Sequence, residues 1–138
     1  QFVQMQAMQG AALVGKDVLL KGDKLSMVDQ QPTGIFDLDT AATQVKVEVL
    51  SPAGVAVETI SMGPRAAGRQ EFTWANPNKM PDPSTYRFRV TATNQATVLA
   101  TTTLMRDRVD AVNTSGNSLT LELERSGRVA YTTITAVD

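Results

Sequence analysis

The sequence predicts an all-β protein, and three observations support that class. Hydrophobic residues make up 42% of the 138 residues but aromatic residues only 5%, so aliphatic side chains and methionine must fill most of any core. Threonine and valine, whose branched side chains favour strands, recur throughout the chain. Residues 71–74 and 86–91 alternate apolar and polar side chains with the period of two that indicates half-buried strands.

The aromatic residues concentrate in those two alternating segments. They include the only tryptophan and two of the four phenylalanines of the chain. Because alternate side chains of a strand share a face, the large apolar side chains of each segment point the same way. We expect them to form the centre of one β-domain core, built from Phe72, Trp74, Tyr86, Phe88 and Val90.

The first fourteen residues have a different pattern, with apolar side chains spaced as on a helix between glutamines. Gly10 weakens this helix, and a helix so short is marginal in water on its own. Two interpretations stay open for residues 1–14. The segment is the frayed end of a longer helix, or it is an oligomer contact through Phe2, Met5 and Met8, since methionine adapts to varied surfaces.

Turn signals divide the remaining chain into two domains. Residues 15–32 hold two short strands and end in a break at residues 29–34, where we place a boundary. Residues 33–104 hold about seven short strands with frequent turns, including a Pro–Gly turn at residues 51–54, which is typical of a β-sandwich. The strands in residues 105–138 resemble those of residues 15–32 in length and turn style. We therefore predict that both chain ends form one small barrel around an inserted sandwich, joined by short linkers.

Composition excludes several classes of function. The net charge of −1 gives no electrostatic basis for binding nucleic acid or an anionic membrane. Cysteine and histidine are both absent, which excludes disulfides, Cys/His zinc sites, cysteine nucleophiles and Ser–His–Asp triads. No cofactor is predicted. Because the chain begins at Gln1 without an initiator methionine, we expect a fragment that lacks any targeting segment of the full protein.

The chain resembles the bacterial flagellar hook-capping proteins over roughly Ala12 to Val137. The opening Ala12-Leu13-Val14-Gly15-Lys16 with Val18 is similar to the first strand of that family. The middle is similar to its pattern of a Pro/Gly turn, an aromatic pair and a further aromatic strand, through Gly54, Thr59, Gly63, Ala67, Gly68, Phe72, Trp74, Tyr86, Phe88, Val90 and Ala92. Residues 118–122 with Ile134 and Val137 resemble its closing strands. The chain departs from the family at Ala75-Asn76 and Thr85, which affects the expected loop conformations.

The resemblance implies a fibronectin-III-like or Ig-like sandwich inserted into a tudor-like barrel. It also implies a non-enzymatic, homo-oligomeric scaffold that caps the distal end of the growing flagellar hook and guides polymerisation of hook subunits. Such a protein leaves the cell by the flagellar type III export route and needs no cleaved signal peptide. Its partners would be hook subunits, with no nucleic acid and no membrane.

Paired carboxylates are the first candidate sites. Asp37 and Asp39 lie two apart and would share a face of a strand, as would Glu122 and Glu124, but no third acidic residue is placed nearby. Solvated strand surfaces are the better interpretation of both pairs. The acidic residues near 107–110 interleave with arginines, which predicts a mixed-charge surface strand followed by a turn at residues 113–117.

Two further patterns suggest ligands and are rejected. Residues 63–68 have the glycine spacing of a phosphate loop but lack the following Lys-Ser/Thr and lie in an all-β context. Arg87 and Arg89 flank aromatic rings but point to the opposite face, so they do not form a base-stacking platform. Residues 113–115 match a glycosylation sequon by pattern only. No residue is predicted to be catalytic.

Two rival functions remain beside the hook-cap scaffold. One is an Ig-like adhesion or carbohydrate-binding module, which would need an exposed aromatic ring, so the exposure of Trp74 separates it from the scaffold. The other is a hydrolase that uses paired carboxylates, which would depend on Asp37 and Asp39. A scaffold predicts broad surfaces of mixed polarity and no deep, aromatic-lined cleft.

Overall fold

The computed structural model describes residues 12–75, 81–115 and 118–137 of the chain. Strands dominate these residues, and their bounds are β1 Asp17–Lys21, β2 Ser26–Val28, β3 Gln31–Leu38, β4 Ala42–Leu50, β5 Ala56–Arg65, β6 Gly68–Thr73, β7 Arg87–Asn94, β8 Thr97–Leu99, β9 Thr101–Ser115, β10 Ser118–Leu123, β11 Gly127–Ala130 and β12 Ile134–Val137. Two three-residue 3₁₀ helices, Pro83–Thr85 and Tyr131–Thr133, interrupt them. Within the described ranges, no helix combines the length and apolar character needed to cross a membrane.

The chain forms two compact units. Unit 1 comprises Gln1–Lys21 with Arg106–Asp138, and unit 2 comprises Gly22–Met105. Strand β9 contains residues of both units, with 101–105 in unit 2 and 106–115 in unit 1. The division after Met105 lies one residue from the boundary that the sequence predicted.

Unit 1 brings the two ends of the chain into one antiparallel sheet, as the sequence predicted. The strand order is β11-β10-β9-β1-β12. Val18 of β1 pairs with Val137 of β12, and Leu121 of β10 pairs with Val112 of β9. Burial alternates along β10, whereas β1 buries three consecutive residues. The buried aliphatic residues of these strands include Val18, Leu19, Leu20, Val109, Leu119, Leu121 and Leu123.

Unit 2 is a two-layered sandwich. One layer holds β2, β3, β6 and the first residues of β9, and the other has the order β5-β4-β7-β8. The inward residues of both layers meet in one core cluster, formed by Leu25, Phe36, Leu38, Ala42, Val45, Val47, Val49, Phe72, Trp74, Tyr86, Phe88 and Ala92. Its alternating burial along β4 follows the sequence pattern of residues 44–50.

Residues 22–32, which the sequence analysis placed with the barrel, group with unit 2. The Leu25 amide donates to the Tyr86 carbonyl (3.0 Å) and the Phe88 amide to the Asp23 carbonyl (2.9 Å), so residues 23–25 join one layer. Ser26 then pairs with Thr33 in the other layer. The segment therefore bridges both layers, and the fully buried Leu25 side chain anchors it in their core.

The predicted break at residues 29–34 is wrong except for the tight turn at Asp29 and Gln30, because β3 begins at Gln31. Pro32 lies inside this strand although it has no N–H to donate. Its carbonyl accepts from the Trp74 amide (2.8 Å), just beyond the last residue of β6. The missing donor falls at the end of the β3–β6 ladder, where the loss of one hydrogen bond is tolerated.

The turn at residues 51–54 is confirmed: the Gly54 amide donates to the Ser51 carbonyl (2.8 Å) and Gly54 has a φ of 89°. The turn predicted at residues 113–117 is wrong up to Ser115, which still belongs to β9. Of the predicted N-terminal helix, only Ala12 and Leu13 are helical among the described residues of that segment.

Candidate interaction surfaces

The paired carboxylates of the sequence analysis lie on strand surfaces. Asp37 forms a two-point ion pair with Arg69, its direct cross-strand neighbour, at 2.9 Å and 3.2 Å. Asp39 lies in an exposed bend beyond β3. Within the described ranges, no group of three or more His, Cys, Asp or Glu residues could hold a metal ion.

Glu122 is also bound into a surface ladder. One carboxylate oxygen accepts from Asn113 Nδ2 (2.6 Å), and the other lies 3.5 Å from Arg128 Nη2 across the strand pair. Glu124 is exposed. These contacts tie β9, β10 and β11 together on the solvent side, with the modest energy of exposed ion pairs.

Asp107 corrects the prediction of a mixed-charge surface strand, because its side chain is only 3% exposed. Its Oδ1 accepts from the amides of Arg108 (2.9 Å) and Arg125 (3.0 Å), and its Oδ2 accepts from Ser126 (2.7 Å). Buried carboxylates need such donors, since an unpaired buried charge is very costly. Asp107 therefore fixes the β10–β11 turn to β9. The sequence signal was too weak to find it, because the amides of Arg125 and Ser126 lie eighteen and nineteen residues away.

The aromatic residues predicted to form a core lie together inside unit 2. Phe72 and Phe88 pack edge to face with ring centroids 5.2 Å apart, and Trp74 lies against Tyr86 at 5.5 Å. Trp74 is 2% exposed, and Val90 is half-buried against the same cluster. These rings are closed to a ligand, so the core cluster offers no stacking platform.

The flat outer side of the four-stranded layer is polar and contains many hydroxyl groups. Arg89 donates to Glu48 (3.1 Å) across β4 and β7, and Gln44 donates to Ser61 (2.8 Å) across β4 and β5. Further outward residues of this face include Lys46, Leu50, Thr59, Arg87, Thr91, Thr93 and Val98, as the strand register shows. Such a face can contact a protein of mixed polarity but forms no cleft.

The remaining predicted features give no ligand site. Gly63, Pro64 and Arg65 belong to β5, so the supposed phosphate loop is mostly strand. A shallow depression of about 290 Å³ borders β12, lined by Tyr131, Thr132, Ile134, Thr135, Ala136 and Val137. The predicted oligomer contact through Phe2, Met5 and Met8 lies outside the described residues.

Comparison with known proteins places these surfaces in context. Residues 5–135 match the FlgD Tudor-like domain. The chain is similar to the crystal structure of FLGD from P. aeruginosa, with 30% identity and a TM-score of 0.73 over 91% of this chain and 98% of that chain. It is also similar to FlgD from Xanthomonas campestris, whose structure is described as giving insights into the hook capping essential for flagellar assembly. That similarity has 26% identity and a TM-score of 0.72, and it covers 96% of this chain and 99% of that chain. No curated protein sequence matches.

Proposed function

Because this chain belongs to the FlgD Tudor-like domain family, we propose that it is a non-enzymatic scaffold that caps the distal end of the growing hook and guides hook-subunit polymerisation. The observation that carries this proposal is the match over residues 5–135, together with the similarity to a structure described in terms of hook capping. The family serves flagellar assembly as a structural component. In this role the chain leaves the cell by type III export and guides hook-subunit polymerisation at the distal end of the hook.

The surfaces of unit 2 support a scaffold. A cap must hold incoming subunits weakly enough to shift after each addition, and exposed polar contacts give modest affinity. The outer face around Glu48 and Arg89 is broad and polar, and its ion pair is exposed to solvent. We further propose that unit 2 corresponds to the fibronectin-III-like sandwich, that unit 1 corresponds to the tudor-like barrel, and that residues Phe2, Met5 and Met8 contribute to a homo-oligomer.

The adhesion or carbohydrate-binding alternative is not favoured. Sugar binding by such modules relies on an exposed aromatic ring, and Trp74 is buried. Asp37, on which the hydrolase hypothesis depended, is held by Arg69.

The test is the solution mass of the chain, alone and mixed with purified hook subunits, by light scattering over a concentration series. We expect a mixed complex that forms and dissociates reversibly with concentration. Phe2→Ala with Met5→Ala and Met8→Ala should lower any self-association and leave the mixed complex intact, which separates oligomerisation from subunit binding. A chain that stays monomeric and ignores hook subunits at every concentration would refute the scaffold role.

A further inference from the structure

The two edge strands of the four-stranded layer differ in how they resist pairing with another chain. The long edge strand β5 carries Glu58, Arg65 and Pro64, which has no N–H, and its register with β4 is irregular at three points. Charges, proline and bulges are the usual means of protecting an edge. The opposite edge, β8, has none of them, since residues 94–105 contain no charge and no proline.

The register of β8 defines which peptide groups are available. Gln95 and Ala96 form a two-residue connection, so Asn94 and Thr97 are the closing pair of the hairpin. In antiparallel strands, hydrogen-bonded pairs alternate with non-hydrogen-bonded pairs. Val98, opposite Thr93, is the next position and directs its N–H and C=O away from β7. An extended strand is the ligand that can accept and donate to both groups at once.

The Val98 side chain is also accessible to a partner. Val98 is 74% exposed, the largest value among the exposed large hydrophobic residues of the described chain. Among the strands that the structure describes, none pairs with β8 on its outer side. A valine exposed next to free peptide groups at a sheet edge is a pairing site unless something covers it.

Hydrogen bonds hold the β7–β8 hairpin firmly. The Thr43 hydroxyl donates to the Thr93 carbonyl (3.1 Å) and accepts from the Gln95 amide (2.8 Å). Asn94 Nδ2 donates to the Ala41 carbonyl (3.1 Å). The edge is therefore preorganised, which lowers the ordering cost of binding.

We propose that the β8 edge centred on Val98 binds an extended, uncharged segment of an incoming hook subunit by strand addition. The inference rests on the proposed function and adds the contact surface to it. An uncharged partner segment fits, because a charge buried beside Val98 would have no counter-charge in residues 94–105. A stable interface buries about 800 Å² on each partner, and an edge of three residues buries far less. The edge therefore suits a transient contact with a hook subunit better than a lasting dimer of this chain.

The experiment compares the binding of purified hook subunits by the wild-type chain and by edge variants. Val98→Lys places a guarding charge on the edge, and Val98→Pro removes the outward N–H without breaking a hydrogen bond to β7. We expect each to weaken binding about tenfold, as the loss of one or two hydrogen bonds and an apolar contact predicts. Val55→Lys is the matched control, since Val55 is 62% exposed in the β4–β5 turn of the same unit. Unchanged Trp74 fluorescence identifies variants that fold.

The outcomes separate this inference from the proposed function. If the wild-type chain binds hook subunits and the folded Val98→Lys and Val98→Pro variants bind them as tightly as the wild type and the Val55→Lys control, the edge proposal is overturned and the scaffold role stands. If the wild-type chain binds no hook subunit, both fail. The chain has no cysteine, so a spin label on Val98→Cys reports this edge alone. Immobilisation of the label by hook subunits supports the proposal, and immobilisation by rising concentrations of this chain alone would make a second copy the occupant and contradict it.

Discussion

The two units solve the same problem of stabilising a small β-fold in different ways. In unit 2, an aromatic cluster fills the space between two layers, and Phe72, Trp74, Tyr86 and Phe88 lie within it. The buried residues of unit 1 that the structure describes are aliphatic, apart from the carboxylate of Asp107. No aromatic ring is fully buried among the described residues of unit 1, and a hydrogen-bonded carboxylate fixes one of its turns.

One turn of each unit shows a second difference, in how its backbone conformation is specified. The β10–β11 turn of unit 1 combines the Asp107 acceptor with Gly127, whose φ is 72°. The β2–β3 turn of unit 2 uses Asp29 and Gln30, with φ values of 52° and 67°, although neither is a glycine. The β2–β3 turn therefore carries local backbone strain, whereas the β10–β11 turn is specified by a glycine and by the Asp107 acceptor.

Removing the buried carboxylate should have the largest effect. Asp107→Ala leaves the amides of Arg125 and Ser126 without their acceptor, and we expect the free energy of unfolding to fall by about 3 kcal/mol. Urea unfolding followed by far-ultraviolet circular dichroism gives the change. Hydrogen exchange of those two amides should accelerate in the same variant.

The matched control is Asp110→Ala, three residues along the same strand and exposed. Its free energy of unfolding should stay within about 0.5 kcal/mol of the wild type. Equal losses in the two variants would mean that strand charge as such, rather than the hydrogen bonds of Asp107, stabilises unit 1.

Crowding the aromatic core should have an intermediate effect. Gly34 pairs directly with Phe72, and a Cβ added at Gly34 would overlap the Phe72 ring. Because that ring packs edge to face on Phe88, it has little room to move, and Gly34→Ala should cost about 2 kcal/mol. Trp74 fluorescence during urea unfolding measures the loss in this unit.

Gly22→Ala tests whether the rigid ring is the cause. An added Cβ there also meets a neighbour too closely, but the atoms that it meets are Sδ and Cγ of the unbranched, flexible Met105 side chain. We expect a loss of less than about 1 kcal/mol, since methionine can adopt another rotamer. A cost for Gly22→Ala equal to that for Gly34→Ala would rule out ring rigidity as the explanation.

Sequence periodicity accounts for a large part of this fold and little of its polar detail. Alternation predicted the strands around Val47, Phe88 and Leu121, because each has one buried face and one solvated face. The similar strand lengths and turns of the two chain ends predicted that these ends pair, and β1 does pair with β12. Alternation failed at Pro32, where the strand tolerates a missing donor only because the β3–β6 ladder ends there.

Candidate surface residues were harder to predict than strands. The pattern around Asp107 is that of a solvated strand, and its burial depends on amides that fold back from β10 and β11. Val98 is one valine among many in the sequence, and its importance arises from its place at the end of a sheet. The burial of Asp107 depends on contacts with residues distant in sequence, and the exposure of Val98 depends on its position at a sheet edge. Alternation along one segment gives no information about either.

Relieving the strained turn should have the smallest effect, and it should be favourable. Side chains raise the energy of the left-handed backbone region by about 1 kcal/mol per residue, so Gln30→Gly should raise the stability by about 0.5 kcal/mol after the added flexibility of the unfolded chain is subtracted. Thermal unfolding measures the shift. Gln31→Gly, one residue later and inside β3, should instead lower the stability, because a glycine there gains no backbone relief. If Gln30→Gly and Gln31→Gly were both less stable than the wild type, the Gln30 side chain would stabilise the turn by more than its backbone strain costs. The β2–β3 turn of unit 2 would then be specified by side-chain contacts, as the β10–β11 turn of unit 1 is.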